Sequence, residues 1–220
     1  MNYEAKVESI VKKEERESLY KILFIGLSTY NRILKENSKL LESKSFGELR
    51  SRLVRFLIKR QFEEDMLPED FPYKAEFKKT NNFGNTVVFL KNSTSEIQIN
   101  KIPKSNRLYN SNKPSRYMLE KAKLNSRYKK EITFFIDADD KVEIKENKRL
   151  YVVLGYKIAD NKLEYLKFHI PDEYMETSLD CFDAINEYNN MINGDNVDKN
   201  VYEDKIIKLK NEAAKVIESE

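Results

Sequence analysis

The sequence predicts an α+β fold: helices at both ends and a mainly antiparallel sheet of about six strands between them. Three observations carry that expectation. Apolar residues recur at three- and four-residue steps as far as about Asp65. Short alternating runs rich in β-branched and aromatic residues then extend from Tyr73 to Ile170, and helical spacing returns beyond Pro171. The chain reads as one domain over 1–220: a helical N-terminal part (1–66) packed on the sheet, the sheet with a basic helical insertion (72–171), and an acidic helical C-terminal part (172–220).

The first helix is expected over Val7–Leu41, where Leu19, Ile22, Leu23, Leu27, Tyr30, Ile33 and Leu34 share one face. Ser45-Phe46-Gly47-Glu48 has the spacing of a capping box opening a second helix, about Phe46–Asp65. Its apolar stripe is Phe46, Leu49, Leu53, Val54, Phe56 and Leu57, and Arg52, Arg55 and Lys59 share the opposite face. Arg50 and Arg60 fall in or beside the stripe, where an arginine needs a carboxylate or a route to water, so a structural ion pair is expected. Leu67-Pro68 and Phe71-Pro72 close the helical part.

Strands follow at Tyr73–Lys79 and Thr86–Lys91, with Asn81–Asn85 as their hairpin loop, and at Glu96–Ile102. Pro114 suits the opening of a short helix carrying Tyr117, Met118, Leu119, Ala122 and Leu124. Further strands are expected at Ile132–Ile136, Val142–Lys145, Arg149–Tyr156 and Leu163–Ile170, the last closing a meander. Met175, Leu179, Phe182, Ile185 and Met191 are spaced for a helix, and a final helix is expected over Val201–Ser219.

Composition excludes several functions. Cys181 and His169 are the only residues of their kinds, so no disulfide forms within the chain and no Cys/His zinc site is expected. His169 lies in an alternating run and reads as a strand-face residue rather than a catalytic base; Cys181 lies in the helical pattern and reads as a small buried apolar group. No phosphate-binding glycine loop and no H-E-x-x-H motif is present. No apolar run reaches the roughly 18 residues of a membrane span, and the N-terminus lacks the form of a signal peptide. A cytoplasmic protein without membrane contact, resident metal or cofactor is expected.

Charge is unevenly placed. Lys101–Lys130 holds ten Lys or Arg and one acid, Glu120, a net +9 in a chain of net +3. Pro171–Glu220 holds thirteen acids and five lysines, a net −8. Cations interleaved with Tyr109, Tyr117 and Tyr128 suit phosphate and base contacts, or an acidic protein surface, including the chain's own C-terminal part or another copy in a homo-oligomer. Arg107, Lys113, Arg116, Lys121 and Lys123 are the first candidates for contact. An alternative chemistry lies at Asp137, Glu143 and Lys145: an Asp on one strand and Glu-Ile-Lys on the next resembles the PD-(D/E)XK nuclease pattern, in which two carboxylates hold Mg²⁺ and the lysine steadies the attacking water.

Arg50-Ser51-Arg52-Leu53-Val54, Ile97-Gln98-Ile99-Asn100-Lys101, Asn112-Lys113-Pro114-Ser115-Arg116, Leu154-Gly155-Tyr156 and Ile170-Pro171 occur in this order. In these marks the chain resembles a group of uncharacterised bacterial and prophage proteins, often encoded beside zinc metallopeptidases that cleave mobile-element repressors. The resemblance implies a setting rather than a chemistry, because the group has no assigned catalytic residues. The functional expectation is a non-enzymatic interaction or regulatory protein of a mobile element, prophage or phage-defence locus. It would bind a protein partner or nucleic acid through the basic segment.

Overall fold

The computed structural model describes residues 5–37, 46–80, 86–103, 108–109, 113–126, 149–159, 161–194 and 203–218. Among them are six α-helices: α1 (Ala5–Ile10), α2 (Lys13–Glu36), α3 (Phe46–Arg60), α4 (Arg116–Ala122), α5 (Ile185–Asn193) and α6 (Glu203–Glu218). A 3₁₀ turn, Lys123–Asn125, continues α4. The strands are β1 (Lys74–Lys79), β2 (Thr86–Lys91), β3 (Ser95–Lys101), β4 (Leu150–Ala159), β5 (Lys162–Pro171) and β6 (Ser178–Asp183), and they form one sheet in chain order. The α+β expectation holds. No helix among the described residues is long and apolar enough to cross a membrane. The chain divides into two compact units. One comprises Met1–Lys13, Pro72–Ile158 and Leu163–Ile185; the other comprises Glu14–Phe71, Ala159–Lys162 and Asn186–Glu220.

The first unit contains the sheet. β1 pairs antiparallel with β2, β2 with β3 and β5 with β6. β3 and β4 pair in parallel, with Glu96 opposite Tyr151 and Gln98 opposite Val153. The expected meander is therefore broken at its centre. Parallel neighbours need a crossover, and residues 102–149, most of the basic segment among them, form it. The expected strands at 132–136 and 142–145 lie outside the described residues, as does the hairpin loop 81–85. β1 is an edge strand, and exposed Lys74, Lys78 and Lys79 oppose pairing with another chain.

A second difference concerns 175–183. The first half of the expected helix is instead a tight connection followed by β6, while Ile185 and Met191 do lie in a helix, α5, and Cys181 is an exposed strand residue rather than a buried helical one. Two interactions outweigh the helical spacing. Phe182 and Cys181 pair with Phe168 and His169 of β5. Asp180, buried, accepts the backbone N–H of Val7 in the first turn of α1 at 3.0 Å. A carboxylate there satisfies one of the unpaired N–H groups of the helix start and complements its dipole. The other end of α1 is also tied, since the Thr94 hydroxyl donates to the Ile10 carbonyl at 3.0 Å.

Asn125, fully buried, joins the crossover to the sheet. Its amide donates to the carbonyls of Tyr151 (2.9 Å) and Pro171 (2.8 Å), and its oxygen accepts the Tyr151 N–H at 2.8 Å. It thus acts on β4 as a short piece of strand would, beside a proline that has no N–H to offer. Gly155 on β4 is required by a close approach: a Cβ there would lie 2.6 Å from the Ile102 side chain.

In the second unit α2 carries the longest buried stripe, including Leu19, Ile22, Leu23, Ile25, Leu27, Tyr30 and Ile33. The expected single first helix is interrupted at Val11-Lys12, ahead of α2. α3 buries Leu53, Val54, Leu57 and Ile58 and meets α2 where Gly26 leaves room for Ile58. Arg16, buried, forms a two-pronged pair with Glu187 of α5, whose carboxylate also accepts the Tyr20 hydroxyl at 2.6 Å. Arg60 meets the expectation of a structural pair: it reaches Asp65 at 2.6 Å and Glu212 of α6 at 2.8 Å. Ser45, of the proposed capping box, lies outside the described residues.

Replacing Asn125 with Ala strands a buried N–H and two buried carbonyls, and is expected to lower unfolding stability by about 3 kcal/mol. Replacement with Asp is expected to help little, because a carboxylate can accept from Tyr151 but cannot donate to either carbonyl. Urea denaturation of the two variants beside the parent chain checks both.

Candidate functional site

The basic segment is mounted on the sheet by one side of α4. Met118 and Ala122 are buried with Phe89, Ile102, Leu108, Tyr151, Val153 and Met175 in one apolar cluster, which Tyr117 and Leu119 flank. Burying the Met118 side chain alone contributes about 2 kcal/mol. Parallel register puts Glu96, Gln98 and Asn100 of β3 on the same face as Tyr151, Val153 and Gly155 of β4.

β3 alternates Glu96, Gln98 and Asn100 with Ile97 and Ile99, a pattern that ordinarily leaves the polar face in solvent. The opposite holds: Gln98 is fully buried and Glu96 nearly so. Their polar groups are paired within the fold. The Tyr151 hydroxyl donates to Gln98 Oε1, Gln98 Nε2 donates to Asn100 Oδ1 at 2.7 Å, and Asn100 Nδ2 donates to the Leu108 carbonyl at 3.3 Å. Burial pushes the Tyr151 phenol well up, so it remains a donor.

Lys121 lies 2.6 Å from Glu96, whose side chain is 5% exposed, and its ammonium sits 5.4 Å from the Phe89 ring centre. Beside this pair Glu76 is bonded to Lys91. Lys91 is the main cause holding the Glu76 carboxyl below its usual range, with Lys78 and Lys121 adding and burial opposing.

The five contact candidates thus have different surroundings. Lys121 points inward, and its charge is met by Glu96. Lys113, Arg116 and Lys123 are exposed. Arg116 is 93% exposed and pairs one turn along α4 with Glu120, an arrangement that holds it only weakly. Leu124, next to Lys123, is an exposed apolar residue. Arg107 lies outside the described residues, as do Asp137, Glu143 and Lys145 of the nuclease alternative with its Mg²⁺. Among the described residues no group of three or more His, Cys, Asp or Glu side chains is placed to hold a metal ion.

Glu96, Gln98 and Asn125 are the residues that sequence reasoning missed. They position the segment rather than contact a ligand. For Glu96 and Gln98 the one sequence signal is their place as polar residues in an alternating strand, while the covering of that face and the role of Asn125 depend on the parallel pairing of β3 and β4.

His169 is a buried strand-face residue, with Tyr165 Oη 2.7 Å from Nε2 and Ser178 Oγ 2.9 Å from Nδ1. Its ring stacks on that of Tyr165 at 6.1 Å. Burial first, then the Lys167 charge, pushes its pKa down to about 4. Neutral imidazole suits the two hydroxyls, one as donor and one as acceptor. Cys181 is its cross-strand partner and is exposed.

Compared with protein-family models, curated proteins and solved structures, the chain has no match.

Lys121→Met is expected to cost about 3 kcal/mol in stability, because it leaves Glu96 buried without its partner. Urea denaturation of the variant beside the parent chain checks this. His169 gives a pH signature. Its folded pKa lies below the unfolded value of about 6.5, so its contribution is complete above that value. It is lost as pH falls toward about 4, by on the order of 3 kcal/mol. Thermal unfolding between these limits should fall less steeply in His169→Gln than in the parent chain.

Proposed function

We propose that this chain is a non-enzymatic interaction or regulatory protein of a mobile element, prophage or phage-defence locus. It binds an acidic protein surface or nucleic acid through the 101–130 segment. The observation that carries this reading is the sorting of residues on and around α4. Met118, Ala122, Lys121 and Asn125 are used in attachment, while Lys113, Arg116 and Lys123 face outward. A cationic surface held on a rigid element binds with little loss of freedom, because the ordering has already occurred on folding. Exposed Leu124 beside Lys123 adds the apolar contact that a protein partner uses. The mobile-element setting rests on the resemblance alone, and the net +9 of the segment supports the anionic class of partner.

Direct binding tests the proposal. Fluorescence anisotropy with labelled polyglutamate, duplex DNA and single-stranded RNA is expected to show binding to at least one probe that weakens as salt rises. Arg116→Glu combined with Lys123→Glu should weaken it by about tenfold or more, with the unfolding midpoint unchanged. Binding of none of the three probes, or equal binding by the variant, would remove the proposal.

A further inference from the structure

We infer that the outer surface where α4 meets the 172–177 turn is a site of self-association, on which a second copy of this chain docks about a twofold axis. Tyr174 and Leu124 form its apolar centre, and the cations of one copy face the acids of the other. The inference rests on the reading of 101–130 only in taking its exposed cations as a contact surface, and it supplies the acidic half of that contact.

Both parts belong to the sheet unit. The turn is a rigid mount. Asp172, buried, accepts the Glu176 N–H on one carboxylate oxygen and the Thr177 hydroxyl on the other, both at 2.9 Å. The Asp172 N–H donates to the Thr177 carbonyl at 2.9 Å, and the Asp172 carbonyl accepts the Met175 N–H at 3.0 Å. Met175 lies in the left-handed region at φ 60° and is buried in the cluster that holds Met118 and Ala122 of α4. Between these anchors Tyr174 projects outward, 60% exposed. Asn125 closes the junction from the α4 side, since its amide reaches the carbonyl of Pro171, the residue before Asp172. Leu124, next to Asn125, is exposed as well. Among the described residues four large apolar side chains are exposed, and two of them stand at this one junction. Isolated exposed apolar residues are ordinary, whereas a pair on fixed backbone has the form of an interface centre. A tyrosine supplies large contact area there at low cost in side-chain entropy.

Charge decides the occupant. Glu173, partly exposed, and Glu176, exposed, lie on either side of Tyr174. Exposed Lys123 adjoins Leu124, and exposed Arg116 lies about two turns back along α4. In a twofold interface the same patch meets itself, so each contact between unlike groups is made twice. A patch of one sign repels its own copy. This patch carries both signs around an apolar centre and is complementary to itself. Arg116 pairs with Glu120 on its own helix, but the pair is exposed and yields readily to a new carboxylate. Nucleic acid fits less well, because Glu173 and Glu176 repel phosphates beside the Tyr174 ring on which a base would stack. A patch of this size gives a weak, reversible dimer.

Sedimentation velocity of the full chain between about 1 and 300 μM tests the inference. The parent chain should pass from monomer to dimer as its concentration rises, and added salt should weaken the dimer. Tyr174→Ser with Leu124→Ser should weaken it by about tenfold or more, with the circular dichroism spectrum retained. Arg116→Glu with Lys123→Glu should be monomeric alone, as should Glu173→Lys with Glu176→Lys. An equal mixture of these two charge variants should dimerise again, because an acidic patch then meets a basic one at both contacts. A loss caused by misfolding would not be restored by mixing.

A parent chain that stays monomeric, a dimer unchanged in the Tyr174 and Leu124 variant or in the charge variants, or a mixture that fails to reassociate would overturn the inference. A monomeric parent that still binds polyglutamate, DNA or RNA through Arg116 and Lys123 sinks the second copy alone and leaves the 101–130 reading standing. A dimer that behaves as described but binds none of those probes does the reverse.

Discussion

The parallel pairing of β3 and β4 is the constraint on which the sheet unit depends. Antiparallel neighbours can be joined by a tight turn, as at β4–β5, where one strand ends at Ala159 and the next begins at Lys162. Parallel neighbours cannot, so the chain leaves the sheet at Lys101 and returns at Leu150. Once a long segment must pass over the sheet, part of one sheet face is covered. The residues of that face must then bury their polar groups in pairs. Gln98 with Tyr151, Glu96 with Lys121 and Asn125 with the β4 backbone all follow from this one topological fact.

Among the described residues, charges meet in short-range pairs rather than as summed blocks. A net +9 segment beside a net −8 C-terminal part suggested mutual neutralisation on a large scale. The described ion pairs are formed within each unit. Glu96 takes Lys121 in the sheet unit, while in the helical unit Glu203, Glu212 and Glu187 take Arg32, Arg60 and Arg16. Lysines of α6 pair as well, Lys208 with Asp65 and Lys210 with Glu36. The acidic C-terminal part therefore already spends charge on the cations of α2 and α3. A summed charge over fifty residues hides these pairings, because an ion pair depends on a few ångströms and not on net balance.

Legibility in the sequence followed the range of the interaction. β1 and β2 were readable because their hairpin and alternation are local, and the observed register, Lys79 opposite Thr86, agrees. The amphipathic stripe of α3 and the paired role of Arg60 were readable for the same reason. The 175–183 segment was misread because Met175, Leu179 and Phe182 fit a helical period by chance. Pairing with β5 and the Asp180 bond to Val7, 173 positions away, decide the strand. In the candidate site, the outward placement of Arg116 and Lys123 agrees with a solvated helix face, but the inward turn of Lys121 depends on a carboxylate twenty-five positions earlier.

The sequence by itself determined the fold class, the presence of a helix after Pro114, the concentration of positive charge around it, and, with a single Cys and a single His, that no disulfide closes within the chain. These are matters of composition and short-range periodicity. Tertiary structure alone decided that β3 and β4 run parallel, that Gln98 and Glu96 are interior, that Cys181 is a strand residue, and that Lys121 turns inward while Arg116 and Lys123 are exposed. Each of these depends on what packs against a residue from far along the chain, and no window of neighbouring residues carries that information.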